Sequence, residues 1–258
     1  MKITAHTLVK NEENFIWYAI NSVINCVDEV LVWDTGSTDK TVPIIKSIKN
    51  SKIKFKEVGR VDVKDLADAR QKMLDETQAD WIFILDGDEI WPQSAIENCK
   101  LKIKNSRCDV VVVPNHMLIG DIFHYQEESA GRYKIAGRVG HYNVRAIRKI
   151  PGLRVEGIYP DEAYVAKEGI KVQDLEKERI FFLDEPYLHA SFLPRSLRGN
   201  KKIKYEIGEE FPKDFYYPEA FFRSRPEIVP SPWQPMTGRY KLNALWQTPL
   251  KKIKRRLI

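Results

Sequence analysis

The first 114 residues alternate between short apolar runs and longer segments of mixed polarity, and this alternation restricts the fold more than any other feature. Strands are predicted over runs rich in Val and Ile, at residues 2–9, 29–34, 52–58, 81–86 and 109–114. Helices are predicted between them, at residues 12–26, 39–49, 65–78 and 93–104. Strand–helix–strand repetition of this kind predicts an α/β domain with a mainly parallel sheet covered by helices.

The alternation ends after about residue 115. Residues 116–165 mix His, Gly, Arg and aromatic residues with short β-like runs, and residues 195–212 are predicted to be helical and basic. Residues 212–238 are rich in Pro and aromatic side chains, which predicts irregular structure. We therefore divide the chain into residues 1–114, residues 115–205 and a C-terminal extension, residues 206–258.

The composition is that of an ordinary soluble globular protein, with 43% hydrophobic and 30% charged residues in 258. Its three cysteines show no paired or metal-binding spacing, so we expect reduced thiols in a cytoplasmic protein. The first residues contain no apolar run of signal-peptide length, and no stretch approaches the roughly 20 apolar residues of a membrane span.

Acidic residues follow two of the predicted strands at the point where each strand ends. Asp34 ends the second strand, and Asp86 and Asp88, in the stretch LDGDE, end the fourth. Ligands of parallel sheets lie beyond the carboxyl ends of the strands, so these side chains are expected to share one site. Two aspartates one residue apart can bind Mn²⁺ or Mg²⁺, whose other ligands are commonly phosphates and water. A polar turn after a strand is the alternative interpretation.

The segments around these acids resemble the family 2 glycosyltransferases. The resemblance lies in KNEE at 10–13, DTGSTD at 34–39 and LADARQKML at 66–74, and it covers residues 1 to about 114. It is closest to the branch that includes the lipopolysaccharide-core glucosyltransferases, although Thr35 stands where many relatives have a second aspartate. The resemblance implies a GT-A fold, which is a Rossmann-like, mainly parallel mixed sheet flanked by helices, here with a helical or irregular C-terminal extension.

The resemblance also implies roles for single residues in the nucleotide-sugar-binding half, residues 1–114. Asp34 would bind the uracil or ribose, with the backbone around Leu8 and Lys10 beside the base. Arg70 would lie near the nucleotide, Asp86 would contact the ribose or the metal, and Asp88 would bind the metal. Solvated surface cations remain the alternative for Lys10 and Arg70.

The second half, residues 115–205, would bind the acceptor and supply the catalytic base. Asp161 and Glu162 match the position of the base in relatives, with Asp161 favoured because it follows Pro160 directly; a plain loop is the alternative. His189, in an apolar strand, is either a core residue or an additional metal ligand. A basic helix is predicted to follow. Its cations would either bind the diphosphate or face solvent, and they are Arg195, Arg198, Lys201 and Lys202.

The acceptor region is predicted less specifically than the donor site. Residues 116–141, with Tyr125, Tyr133 and Arg138, are candidates for an acceptor groove because aromatic rings stack on sugars. In the tail, apolar residues stand among Lys and Arg in the order Leu242, Leu245, Trp246, Leu250, Ile253 and Leu257. That pattern fits a helix on the inner face of an anionic membrane, or a helix docked on the protein itself.

The sequence thus predicts a metal-dependent, inverting glycosyltransferase that moves a sugar from a nucleotide sugar, with UDP favoured, to a glycan or lipid-linked acceptor. A sugar nucleotidyltransferase is one alternative, but TLVKNEEN after the first strand lacks the glycine of a phosphate-binding loop. A non-enzymatic basic protein that binds membrane or nucleic acid through its tail is another. It leaves Asp34, Asp86 and Asp88 unexplained, so no nucleic acid partner is expected.

Overall fold

The computed structural model describes residues 1–193 and 203–256. Its strands are β1 Ile3–Val9, β2 Glu29–Asp34, β3 Ile53–Glu57, β4 Trp81–Ile84, β5 Glu89–Ile90, β6 Val110–Ile119, β7 Asp121–Tyr125, β8 Tyr133–Ile135, β9 Arg138–Gly140, β10 Tyr142–Arg148, β11 Arg154–Glu156, β12 Ala163–Val165, β13 Ile180–Phe182, β14 Tyr187–Phe192 and β15 Glu209–Glu210. Its α-helices are α1 Ile16–Val23, α2 Thr41–Ser47, α3 Leu66–Glu76, α4 Gln93–Asn105 and α5 Gly238–Arg256.

One large sheet organises the molecule, in the strand order β15-β7-β6-β10-β4-β1-β2-β3. β1 pairs in parallel with β2 and β4, and β2 pairs in parallel with β3. β10 runs antiparallel between β4 and β6, while β13 and β14 join β6 in parallel. This arrangement confirms the predicted mainly parallel mixed sheet flanked by helices.

The central strands are buried on both faces, which explains why they read as continuous apolar runs rather than as alternating patterns. All four residues of β4 are buried, and six of the seven residues of β1 are buried. α1 packs its buried Ile16, Ile20 and Val23 into the main core, as the spacing of these residues predicted. On the other face, a second core brings the β8–β9 and β11–β12 hairpins toward β4, β6 and β10.

Two predictions about element boundaries are corrected by the structure. The strand predicted over residues 109–114 continues to Ile119, because the buried apolar pattern of β6 resumes after Pro114. The helix predicted over residues 195–212 is wrong where the structure describes that segment, since residues 203–208 are irregular and 209–210 form β15. Several predicted side chains lie outside the described residues: Arg195, Arg198, Lys201, Lys202 and Leu257.

The three cysteines, Cys26, Cys99 and Cys108, are free thiols, and all three are buried. Within residues 1–193 and 203–256, no helix combines the length and apolarity needed to cross a bilayer.

Candidate functional site

The carboxyl ends of β1, β2 and β4 bring the predicted acidic residues to one edge of the sheet. Val9 and Asp34 are paired at the ends of β1 and β2, and the N–H of Thr35 donates to the carbonyl of Val9 at 2.9 Å. β4 lies on the other side of β1, and the N–H of Leu85 donates to the carbonyl of His6 at 3.0 Å. The acids after β2 and β4 therefore flank the end of β1.

The Asp34 carboxylate is held in one orientation by the turn that follows β2. Its Oδ2 accepts hydrogen bonds from the backbone N–H groups of Gly36 and Ser37, at 3.0 and 2.9 Å. Its Oδ1 is buried and has no hydrogen-bond partner, and the residue as a whole is only 3% exposed. A buried charged oxygen without a partner is costly, so this atom is a candidate acceptor for a ligand N–H or O–H.

The loop after β1 is hydrogen-bonded to the loop after β2. The N–H of Asn11 donates to the Ser37 hydroxyl at 2.9 Å, and the Asn11 side-chain oxygen accepts from the N–H of Thr38 at 2.8 Å. Lys10, directly before Asn11, is exposed, and Leu8 is half-buried at the end of β1. The predicted residues of the β1 end therefore lie beside Asp34.

A buried arginine joins the acidic residues that follow β4. One nitrogen of Arg145 donates to Asp86 Oδ2 at 3.1 Å and also contacts the Glu89 carboxylate. The Nε of Arg145 donates at 3.1 Å to the hydroxyl of Tyr187, which also accepts from the Asn143 amide at 2.8 Å. Glu89 is fully buried, and this burial raises the pKa of its carboxyl to about 7 despite the charge of Arg145.

Asp88 faces the histidine predicted as a metal ligand. The Nε2 of His189 lies 3.5 Å from Asp88 Oδ2, and the N–H of Ala190 donates to the Asp88 carbonyl at 2.8 Å. The antiparallel pairing of β5 and β14 sets His189 opposite Glu89. Burial lowers the pKa of His189, but the adjacent Asp88 carboxylate outweighs it and raises the pKa above its usual value.

These side chains can hold a divalent cation. Ligand atoms of Asp86, Glu89 and His189 all lie within 4.8 Å of one another, and Asp88 touches the same histidine. The His189 Nδ1 is buried without a hydrogen-bond partner. Carboxylate oxygens are the ligands that Mn²⁺ and Mg²⁺ prefer, so the donor set fits these ions.

Arg70 of α3 also reaches this region. Its Nη2 lies 3.9 Å from Asp86 Oδ1, and its Nε lies 3.7 Å from Glu162 Oε1. The second oxygen of Glu162 is buried and has no hydrogen-bond partner, whereas Asp161 is exposed. Of the two adjacent acids after Pro160, the structure brings Glu162 into contact with the cluster.

A cavity of about 260 Å³ opens beside these groups and is lined by Arg70, Asp86, Arg145 and Glu162. Tyr133, which was predicted to border the acceptor, lies on its wall with Lys134 of the β8–β9 hairpin. A larger cavity of about 510 Å³ lies elsewhere, between the start of α1 and residues 230–240, and none of the clustered carboxylates lines it.

The other residues predicted to border the acceptor lie elsewhere on the surface. The guanidinium of Arg138 lies 4.3 Å from the ring centre of Phe182. Tyr125 stacks on Phe211 with ring centres 4.5 Å apart, and His116 packs against the same pair. Tyr125 and His116 line a separate cavity of about 260 Å³.

Sequence reasoning missed Glu89, Arg145 and Tyr187 as members of the cluster. Glu89 follows the two aspartates directly, so the acidic run itself was an available signal. The inward direction of Arg145 depends on a break in the pairing of β10 with β6 between Val144 and Ala146. Such an irregularity re-aims a side chain and leaves no clear mark in the sequence.

Comparisons with known proteins show the family and the fold of this chain. A sequence model described as "Glycosyl transferase family 2" matches residues 4–151. An uncharacterized glycosyltransferase of Rickettsia bellii is 42% identical over 88 residues, which are 34% of this chain and 28% of that protein. SunS, a prophage-derived glycosyltransferase of Bacillus subtilis, is 33% identical over 90 residues, which are 34% of this chain and 20% of SunS. The aligned stretch thus spans less than a third of either relative.

Among solved structures, residues 1–349 of TarS from S. aureus, in complex with UDP-GlcNAc, superpose on this chain with a TM-score of 0.53. The superposition covers 77% of this chain and 60% of the TarS chain, at 16% sequence identity. At this identity the likeness shows a shared fold.

Proposed function

Because the chain belongs to glycosyl transferase family 2, we propose that it moves a sugar from a nucleoside-diphosphate sugar to a hydroxyl of a glycan or lipid-linked acceptor. One observation carries this proposal. The unpartnered Oδ1 of Asp34, the cluster of Asp86, Glu89 and His189, and the Glu162 carboxylate beside Arg70 all belong to segments around one edge of the sheet. Residues 1–114 supply the donor groups, and residues 115–205 supply the base and the histidine.

Asp34 supports a uracil nucleotide. Its unpartnered Oδ1 accepts a hydrogen bond and, as a carboxylate, cannot donate one. Uracil carries an imide N–H that donates to such an oxygen, whereas cytosine offers an acceptor at the same ring position. The TarS structure with UDP-GlcNAc, which shares the fold, is consistent with a UDP-sugar donor. Leu8 and Lys10 border the base in this arrangement.

Asp86, Asp88, Glu89 and His189 would hold Mn²⁺ or Mg²⁺, which when bound neutralises the charge that develops on the departing diphosphate. Arg145 keeps Asp86 and Glu89 together in the absence of that charge, because it contacts both carboxylates. Arg70, 3.9 Å from Asp86, adds a second cation on the nucleotide side. Arg195, Arg198 and Lys201 remain candidates for further diphosphate contacts.

Glu162 is the better candidate for the base. Glu162 lines the cavity together with Asp86 and Arg145, and its Oε2 is buried without a hydrogen-bond partner, whereas Asp161 is exposed to solvent. The acceptor oxygen would bond to the anomeric carbon as the bond from that carbon to the diphosphate oxygen breaks. The hydroxyl proton would pass to Glu162, and the electron pair would leave with the nucleoside diphosphate. Attack opposite the leaving group gives inversion at the anomeric carbon.

The acceptor is proposed from the motifs. KNEE and DTGSTD resemble those of lipopolysaccharide-core glucosyltransferases, which supports an acceptor from a cell-envelope polysaccharide. Tyr133 and Tyr142, on the wall of the cavity that holds Glu162, offer rings on which such a saccharide can stack.

A donor screen tests the proposed function. The protein is incubated with UDP-, GDP-, CDP- and ADP-sugars in the presence of Mn²⁺, and release of the nucleoside diphosphate is measured. We expect release from a UDP-sugar, with the inverted anomer as the first product seen by NMR. Pyrophosphate release from a nucleoside triphosphate and a sugar phosphate would instead support a nucleotidyltransferase. Failure to turn over or bind any of these nucleotides would contradict the proposal.

A further inference from the structure

The C-terminal helix α5 has two faces that meet different surroundings. One face docks on the body of the protein: Tyr240 and Ala244 are 5% and 0% exposed. The Thr248 hydroxyl accepts from the N–H of Ile207 at 2.9 Å, and the Lys251 ammonium donates to the Tyr205 carbonyl at 2.6 Å. The predicted docking of the tail on the protein itself is therefore present.

Arg255 fixes the rotation of α5 about its own axis. Its two terminal nitrogens donate to the two carboxylate oxygens of Glu206, at 2.6 and 2.7 Å, and one of them also donates to Glu127 at 2.9 Å. Glu206 is 1% exposed. A two-point, charge-assisted contact at a buried carboxylate holds a helix in one orientation, so the opposite face of α5 is held outward.

The outward face of α5 is apolar and uncovered. Its large side chains recur at steps of three and four, and each is more than half exposed: Leu242 66%, Leu245 54%, Trp246 83%, Leu250 69% and Ile253 56%. None of the residues in 1–193 and 203–256 covers this stripe. Contiguous apolar patches of this kind mark a surface that binds something.

The charge around the stripe indicates what binds. Residues 238–256 contain seven Lys and Arg and no Asp or Glu. Arg239, Lys241 and Lys254 are exposed, beside or near the apolar stripe. A second copy of the same helix would bring like charges together, whereas anionic lipid headgroups complement them. An apolar stripe flanked by cations is typical of a helix that lies in the plane of a bilayer surface.

We propose that the outward face of α5 lies on an anionic lipid bilayer, with Leu245, Trp246 and Leu250 among the acyl chains and the flanking cations at the phosphates. The β8–β9 hairpin begins beside the end of this helix. An Arg132 nitrogen, directly before β8, lies 3.5 Å from the Arg255 carbonyl, and Tyr133 and Val139 are 63% and 58% exposed.

This placement also bears on the acceptor. Tyr133 and Lys134 of the same hairpin line the cavity that contains Glu162. The hairpin therefore connects the membrane-facing helix with the site of transfer. The acceptor class that fits is a saccharide carried on a lipid of the same membrane, an assignment that rests on the proposed function.

Vesicle sedimentation of the full chain tests the membrane surface. The probes are vesicles of phosphatidylcholine alone and of phosphatidylcholine with phosphatidylglycerol. The test variant combines Leu245→Ser, Trp246→Ser and Leu250→Ser. The matched control combines Leu101→Ser, Tyr216→Ser and Phe222→Ser, which remove exposed apolar side chains of similar exposure elsewhere. UDP-dependent thermal stabilisation is measured on every protein as an independent readout.

The native chain is expected to sediment with the anionic vesicles, less so with phosphatidylcholine alone, and less at high salt. The α5 variant should lose about tenfold or more of this affinity, whereas the control keeps it. An unbound native chain, or equal losses in both variants, would overturn the inference. So would a concentration-dependent dimer that only the α5 variant abolishes, because a second copy would then cover the face. If UDP does not raise the melting temperature of the native chain, that result would count against the proposed function alone.

Discussion

The guanidinium of Arg70 lies between two carboxylates that come from opposite halves of the chain, 3.7 Å from Glu162 and 3.9 Å from Asp86. Asp86 follows β4, whereas Glu162 directly precedes β12. A cation between two such groups offsets their mutual repulsion and holds them near one cavity. This contact links the candidate base to the acidic cluster that follows β4.

Glu162→Gln should abolish transfer while leaving nucleotide binding intact, because glutamine keeps the shape of the side chain but cannot accept the acceptor proton. The expected loss in kcat is about 10²- to 10⁴-fold, the usual contribution of a general base. Asp161→Asn is the matched control and should act like the native chain. Loss of turnover in Asp161→Asn with normal turnover in Glu162→Gln would reverse the assignment of the base.

Asp34→Asn should weaken UDP binding by about 10- to 100-fold, since hydrogen bonds to a charged group contribute about 1.5–3 kcal/mol. CDP serves as the ligand control. Its ring nitrogen is an acceptor, so the native chain should bind CDP more weakly than UDP, and the asparagine variant should narrow that difference. Equal loss of UDP and CDP affinity in the variant would place Asp34 away from the base.

Much of the structure of residues 1–114 could be predicted from the sequence, because the local sequence pattern and the tertiary environment agree there. Buried parallel strands give continuous apolar runs, so β1, β2 and β4 were found within one or two residues of their ends. Asp34, Asp86 and Asp88 lie at those strand ends, and topology alone brings them to one edge.

The second half could not be predicted as well, because contacts distant in sequence determine it. Arg145 turns inward at a break in strand pairing. Glu162 and Asp161 are adjacent acids, and only the folded structure shows that Glu162 is the one that contacts Arg70. Neither property has a local signature. The outward face of α5 was visible as a pattern, but the docked face depends on Glu206 and Glu127.

Arg145→Met should destabilise the fold by about 3–5 kcal/mol, because it leaves Glu89 buried without its cation. Arg148→Met, on the same strand, is the control. The Arg148 side chain is 37% exposed, pairs with Asp109 and donates to the Cys108 carbonyl at 2.9 Å, so its loss leaves no fully buried charge and should cost less than the loss of Arg145. Urea denaturation measures both values. Similar costs for the two variants would show that the Arg145 network does not stabilise the native state.

The stability of the fold should fall as the pH decreases below about 6.5, in part because of His6. Burial, with smaller effects of Arg70 and Lys149, lowers the pKa of this histidine from 6.5 to about 3, and its Nε2 lies 2.6 Å from the Thr77 hydroxyl. The unfolded chain therefore takes up a proton that the folded chain does not, which costs up to about 1.4 kcal/mol per pH unit.

Urea midpoints of the native chain and His6→Gln across this pH range isolate the contribution of His6, because glutamine can still donate to Thr77. The difference in the free energy of unfolding between the two proteins should change between about pH 6.5 and about pH 3, while above about pH 7 it should stay constant. Parallel curves over the whole range would contradict the assignment.

Titration calorimetry of UDP with and without Mn²⁺ tests the central claim, that Asp88 and its neighbours couple a cation to the donor diphosphate. The native chain and the exposed-site control Asp184→Asn should bind UDP about tenfold or more tightly when Mn²⁺ is present. Asp88→Asn should bind UDP equally well with and without the ion. Equal UDP affinity of the native chain in both conditions would contradict the account.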